Sequence, residues 1–435
     1  MKKNIYINKS MKSKTFFLYS LYILPFFLIF NKATAMIITV FTLCYMANKT
    51  FKIKSEFLKY VKENKNYIYP LIIFNAYLIF NTLVISDSYN QSIGRLLVFI
   101  IFSSYLVFFQ FFIKFYIFDF DYKKISLFFL IALFFVIFDT YIQFLFRTDL
   151  LGFEIVTFRL SGPFGDEKIV GAFLFKFMFF GIYFILNNKY LKKFILLFIT
   201  LCLTIIILSG ERVAGLYGVF FITLFIIFNF RSYISLKQFL VLLVFIFISL
   251  FQFYKVAKDS NIINYINPND ISISNDPLSN YKPSTRLDEI TIQILNRYTR
   301  NILSDLNINN SSYFKLFKSG LIVWQDDKIF GVGLKNYRIK CKELKLENKY
   351  ECSSHPHNLF IELLSELGVV GLVLFCYAIF ANVFKFIKNS KVPYYIIFSL
   401  SPSLIPLINT SFFNSFSILI FLYQFILLSI ISNHK

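Results

Sequence analysis

The chain has 435 residues, of which 57% are hydrophobic, and it carries a formal net charge of +21. Its apolar runs are too long for a soluble core, so composition excludes an ordinary soluble domain and points to a membrane protein, where one span takes roughly 20 mostly apolar residues. The positive charge is mostly a lysine asymmetry between loops, which disfavours nucleic-acid binding as its cause.

In chain order the candidate spans are about 15–31, 33–48, 68–86, 93–117, 125–146, 170–187, 191–209, 213–229, 236–253, 358–386, 393–409 and 411–432. The expectation is an all-α polytopic membrane protein with about twelve transmembrane helices and one large, partly helical periplasmic loop. Helices one to nine occupy 1–253, the loop 254–357, and the last three helices 358–435. The lysine-rich start and the apolar run after it are read as a retained first span, because no convincing small-residue cleavage site follows. Pro393, Pro402 and Pro406 interrupt the eleventh span, which neighbouring helices can compensate. The short loops 1–14, 49–67, 118–124, 188–193, 230–237 and 387–392 hold most of the loop lysines, which puts them and the N-terminus in the cytoplasm. Segments 148–169 and 254–357 then lie outside.

Within the long loop, 254–312 is rich in Asn, Ser, Asp and Pro and reads as irregular. Apolar residues at Leu287, Ile290, Ile294, Tyr298 and Ile302 suggest an amphipathic helix over 287–303. A second, over 313–324, either lies on the bilayer with Trp324 at headgroup level or packs on the membrane domain. Gly331-Val332-Gly333 marks a tight turn; as a phosphate loop it lacks both a GKS-type ending and a preceding strand. Cys341 and Cys352 are suited to an outer-loop disulfide worth roughly 3 kcal/mol, with two free thiols as the alternative. Cys44, Cys202 and Cys376 fall in spans.

The loop re-enters the membrane at His355-Pro356-His357-Asn358, which holds two of the chain's three histidines. Asn358 is a good N-cap. A straight helix over 358–386 would measure about 43 Å at 1.5 Å per residue, against a hydrocarbon core of ~30 Å. Glu362 and Glu366 cannot face lipid cheaply. The stretch 358–367 is therefore expected at the interface or in a cavity wall, with a bend near Gly368 and Gly371 that holds His357 at the outer surface.

Histidine is the usual proton-transfer group near neutrality. Arginine is used sparingly, nine against 36 lysines, and eight of the nine fall on the outer side. A planar guanidinium binds phosphate oxygens in a bidentate way and stays charged when desolvated. Arg212, in the short turn Ser209-Gly210-Glu211-Arg212 between two spans, is the sharpest of them. Arg159 sits in another short outer loop, beside Asp166 and Glu167, with Lys176 further along. No HExxH or Gly-rich nucleotide motif is present, so the inventory fits histidine as base and arginine as phosphate clamp, without metal or other cofactor.

His357-Asn358, nine residues, then Gly368-x-x-Gly371 resembles the H-N-x9-G-x-x-G pattern of the O-antigen ligase and O-antigen polymerase superfamily. The string HPHNLFIELLSELGVVG looks like its signature, with GVGL at 331–334, SGER at 209–212 and RLSGPFGDEKIVG at 159–171 in the expected order. The resemblance covers about 150–386. It implies a bacterial inner-membrane enzyme that transfers a glycan from undecaprenyl diphosphate to an acceptor hydroxyl on a lipid or glycan, without metal, with membrane lipids around it. Carried over by motif, His357 is the candidate base and Arg212 a diphosphate ligand, with Arg159 a further diphosphate-binding candidate. The second loop arginine is Arg338 or Arg286, and Arg338 is favoured because Cys341 would tether it. His355 either orients His357 or caps the loop. Glu366 either orients His357 or satisfies backbone at the bend. Ligase and polymerase remain alternatives. A transporter or flippase of lipid-linked glycans would predict paired repeats, and none is visible; a non-catalytic scaffold or sensor is the third reading.

Overall fold

The computed structural model describes residues 11–116, 121–155, 159–233, 312–346, 350–404 and 411–433. The expected ninth span, the amphipathic helix over 287–303 and Arg286 lie outside the described residues. So does the end of the eleventh span. The described chain is helical and contains no strand, apart from one isolated antiparallel bridge between Thr148 and Glu154.

The helices are α1 (Met11–Phe30), α2 (Lys32–Phe51), α3 (Lys54–Glu63), α4 (Lys65–Phe80), α5 (Tyr89–Tyr116), α6 (Tyr122–Phe146), α7 (Val170–Leu186), α8 (Ile195–Leu208) and α9 (Arg212–Tyr233), then α10 (Ser312–Asp326), α11 (Tyr337–Glu343), α12 (Leu359–Asn389), α13 (Pro393–Leu404) and α14 (Ser415–Asn433). Among the described residues five are long and apolar enough to cross a membrane: Lys65–Ile85, which extends α4 through a π-turn, Tyr89–Phe115, Tyr122–Phe146, Leu359–Asn389 and Ser415–Asn433. Phe17–Phe30, Val170–Leu186 and Val213–Phe228 are apolar but shorter. This is the architecture of a polytopic membrane protein.

Local chemistry sets the helix ends. Asn31 accepts from the Thr34 amide at 3.0 Å to cap α2, and Asp121 accepts from Lys124 at 3.2 Å to cap α6. Arg147, at φ 68°, ends α6 in the left-handed region. The lysine-rich stretch after α2 is itself helical, as α3. There Lys114 pairs with Glu63 at 2.9 Å, and Lys385 donates to Tyr60 Oη at 3.1 Å and Gln110 Oε1 at 2.6 Å.

Helices α7 and α14 are buried along nearly their whole length. A helix that is apolar all round belongs in the interior. Around them the phenylalanines interlock, with ring centroids 5.8 Å apart for Phe102 and Phe421, 5.3 Å for Phe179 and Phe398, and 5.7 Å for Phe74 and Phe375. Much of the phenylalanine is thus packing material at the bundle centre. In a membrane, where lipid is as apolar as leucine, such close packing replaces the hydrophobic effect as the association force.

The N-termini of α2, α5, α7, α9, α12 and α14 gather at one end. Lys32 reaches Glu167 and lies 4.9 Å from the Phe416 ring. Arg95 donates to Ser415 Oγ at 2.8 Å, Glu211 holds the first amides of α7, and the Phe412 amide donates to Glu362 at 3.0 Å.

Candidate functional site

Helix α12 is broken where its length required. Asn358 caps it, accepting from the Phe360 and Ile361 amides at 3.0 and 3.1 Å. Gly368 leaves the helix at φ 64° and ψ −172°. A break inside an apolar helix frees backbone groups that must find partners. The segment 328–333 supplies them. Val332 and Gly333 donate to the Ser365 and Glu366 carbonyls at 2.9 and 3.0 Å, and Val369 and Val370 donate to Lys328 and Ile329 at 3.0 and 3.2 Å. Backbone therefore touches backbone at Gly368, where a Cβ would overlap the Ile329 carbonyl. From α4, Tyr77 Oη donates to the Leu367 carbonyl, and Asn81 joins Phe330 O at 2.9 Å to the Leu334 amide at 2.9 Å. The Gly331-Val332-Gly333 turn is thus half of a backbone clasp.

The clasp brings Lys335 against the two carboxylates of α12. Its amide donates to Glu366 Oε2 at 2.9 Å, and its ammonium donates to Glu362 Oε1 at 3.1 Å and to Ser411 Oγ. Burial works against the Lys335 charge, but the carboxylates of Glu362 and Glu366 outweigh it and hold its pKa above the usual lysine value. Glu362 also accepts from Ser411 Oγ and from the Phe412 amide. Of the two roles open to Glu366, its contacts serve the clasp: the side chain takes the Lys335 amide and the carbonyl takes Gly333.

In front of this cluster lies a cavity of about 340 Å³ lined by Gln91, Arg95, Lys335, Arg338, Ser354, His355, Ser411 and Asn414. His355 is buried, with Nδ1 2.9 Å from Ser354 Oγ, and its ring centroid is 4.0 Å from that of His357. His357 stands directly before the cap, at φ 54°. Of the two histidines it is His355 that lines the cavity, with His357 beside it.

The wall is braced from outside the bundle. Cys341 and Cys352 form a disulfide. Helix α10 packs on the start of α12, with Val323 fully buried and Ser319 Oγ bonded to Tyr337 Oη at 2.7 Å and to the Glu351 carbonyl at 2.9 Å. Of its two expected placements, α10 therefore takes the packed one. Burial pushes the Tyr337 phenol up to about 12, against the pull of Ser319.

Arg159 and the SGER turn form a neighbouring cluster at the same end. Glu211 accepts from the Gly171 and Ala172 amides at 2.9 and 3.0 Å, taking up the N-terminus of α7 with its own carboxylate. A side chain at Gly171 would collide with Ser209 Oγ, which explains a glycine there. Burial pushes the Glu211 carboxyl up to about 7, against the pull of Arg159, the two amides and Lys176. Lys176 is buried rather than extended to the surface. Arg212 is the first residue of α9; its backbone is described and its side chain is not. Lys32, between Glu167 and Phe416, links this cluster to the α14 terminus beside the cavity.

A carboxyl whose folded pKa is raised contributes stability in full below its unfolded value, and that contribution is lost as pH rises through the folded value. For Glu211 the window runs from 4.5 to about 7. Between pH 4 and 8 the wild type should lose on the order of 3 kcal/mol relative to Glu211→Gln. Thermal unfolding of the two proteins across that range reads it; parallel pH curves would contradict it.

His355, Asn358, Glu366, Gly368, Gly371, Arg338, Cys341 and Cys352 thus belong to one assembly, and Arg159 belongs to the adjoining one. Five cavity residues escaped the sequence reading as site residues: Gln91, Lys335, Ser354, Ser411 and Asn414. Arg95 figured there only as one outer arginine among eight. A charge in the second turn of an apolar helix was the available signal for Arg95; nothing local marks Ser411.

Residues 170–376 match the O-antigen ligase family. The match supports the O-antigen ligase and polymerase superfamily, whose members are membrane glycosyltransferases of ligase or polymerase type. It spans α7 through the first half of α12 and includes the clasp turn, Lys335, Arg338 and both histidines. Arg95, Arg159 and Ser411 lie outside it. No curated protein matches the chain.

Proposed function

We propose that the chain moves a glycan from undecaprenyl diphosphate to an acceptor hydroxyl, on lipid A core or another surface acceptor, as O-antigen ligases do. The observation that carries this reading is the pairing of Arg338 with His355 in one cavity wall, with the His357 ring 4.0 Å from that of His355. In the reaction the bond between the sugar's anomeric carbon and the diphosphate breaks. The acceptor oxygen forms the new glycosidic bond, its proton passes to His357, and undecaprenyl diphosphate leaves. Charge builds on phosphate oxygens, and the guanidiniums of Arg338, Arg212 and Arg159 stabilise it by several kcal/mol without a metal. His355 holds the His357 ring. The N-terminal ends of six helices at this end add positive potential.

In this reading the protein sits in the bacterial inner membrane with about twelve spans. The lysine-rich α3 end faces the cytoplasm and the cavity faces the periplasm. The disulfide accords with an oxidising compartment. A polymerase would use the same donor and the same groups, with a second lipid-linked glycan as acceptor.

A gel of surface glycan from a deletion strain tests the reading. Polymer missing from the lipid anchor while lipid-linked polymer accumulates is the expected result. A single repeat still attached would assign the polymerase, and unchanged glycan would sink both.

A further inference from the structure

Two cations in the cavity wall have no part in the mechanism so far. Arg95 enters from α5, and Lys335 from the turn that follows Gly333. The motifs at 159–171, 209–212 and 355–371 contain neither.

Lys335 is costly as a mere structural ion pair. It adopts φ 63°, a left-handed backbone that side chains other than glycine enter at a penalty. Glu362 does not depend on it alone, because Ser411 Oγ and the Phe412 amide also donate to that carboxylate. The ammonium has three N–H donors. Glu362 and Ser411 take two, and the third remains for the cavity, to which the side chain is 13% exposed.

Arg95 is similar. One Nη binds Ser415 Oγ at 2.8 Å, and the remaining donors of its five N–H groups face no carboxylate partner among the described residues. Together with Arg338, three cations share one wall, and no carboxylate lines it. Like charges gathered around one space repel until an anion enters it. A volume of about 340 Å³ falls in the range of small-ligand pockets.

We propose that Arg95 and Lys335 are ligands of the lipid-linked diphosphate, and that Glu362 is the positioning residue that fixes the Lys335 ammonium in the wall. This rests on the glycan-transfer reading and adds to it two ligands from outside its motifs. Arg95 draws on α5, Lys335 on the clasp, and Arg338 on α11, so the anion is gripped from three elements. Glu362 needs its negative charge to hold Lys335 and is itself screened from the anion by Lys335 and Ser411.

The test uses the full chain in lipid nanodiscs, with farnesyl diphosphate and inorganic pyrophosphate as probes in titration calorimetry. Two variants are compared with wild type. One is Arg95→Gln. The other is the double variant Lys335→Gln with Glu362→Gln, which removes both charges of that ion pair together, while Glu366 keeps the Lys335 amide as its donor. Each should weaken farnesyl diphosphate binding tenfold or more, and wild-type affinity in either folded variant overturns the role of that residue. If the double variant does not fold, wild-type Lys335 is read by mass spectrometry after acetic anhydride treatment. Protection by farnesyl diphosphate is expected there, and equal labelling with and without it overturns the proposal. Pyrophosphate binding as tightly as the lipid would overturn the lipid-linked source. Failure of the wild type to bind either probe would count against the glycan-transfer reading itself, whereas binding that is insensitive to the variants counts only against Arg95 and Lys335.

Discussion

Replacing His357 with asparagine should lower glycan transfer by ~10²–10⁴-fold, the usual worth of a positioned general base. Asparagine is the informative replacement because His357 stands at φ 54°, a left-handed backbone that asparagine tolerates better than alanine does. A loss in His357→Asn then reports the missing imidazole rather than a strained turn before the α12 cap. Glycan transfer in membranes from a complemented deletion strain reads it, normalised to the amount of protein. His355→Ala provides the contrast. As the support of His357 it should cost up to about 10²-fold, the loss that follows a 1 Å misplacement of a reacting group. His355 is nevertheless the histidine that lines the cavity. If His355→Ala abolishes transfer while His357→Asn keeps it, the two roles are exchanged and His355 is the base.

Gly368→Ala should remove the folded protein from the membrane. Two penalties combine at that position. The backbone is left-handed, at φ 64°, and the new methyl would overlap the Ile329 carbonyl and crowd the Phe330 amide. Left-handed strain of roughly 1–2 kcal/mol adds to overpacking of about 1–3 kcal/mol, and the struck atoms are backbone that cannot rotate away. The hydrogen bonds around the break would have to part, from Val332–Ser365 to Val370–Ile329. Gly94→Ala is the control, because nothing lies within 4 Å of its Cβ direction and it sits in α5. It should leave accumulation unchanged or raise it slightly. Equal accumulation and melting of the two variants would show that the clasp does not hold α12.

Much of the local structure around the site is legible in the chain itself. The 358–386 stretch is too long for a bilayer, carries Glu362 and Glu366 on one face, and has a glycine where it breaks; length and polarity are sequence properties. So is the Asn358 cap, which depends only on a side chain reaching amides two and three residues ahead. The clustering of histidines and the placing of arginines in short turns mark the end of the bundle where charge gathers.

What the break is made of was not legible. Tyr77 and Asn81 bond residues 249 to 290 positions away, and no periodicity links an apolar helix near the start of the chain to a glycine turn far along it. The sequence marked Gly331-Val332-Gly333 as a turn, but its partner at Gly368 is a matter of packing. Nor does the sequence show that the Glu366 carboxylate accepts from the Lys335 amide. Arg95, Lys335, Arg338 and Ser411 come from four separate elements and meet only because α5, α12 and α14 start at the same end. The sequence by itself determined the polytopic membrane class, the Asn358 cap and the necessity of a break, because those follow from local polarity, length and backbone chemistry. Only the tertiary structure decided which distant groups satisfy the broken backbone and which cations share a wall, because those depend on which helices pack together.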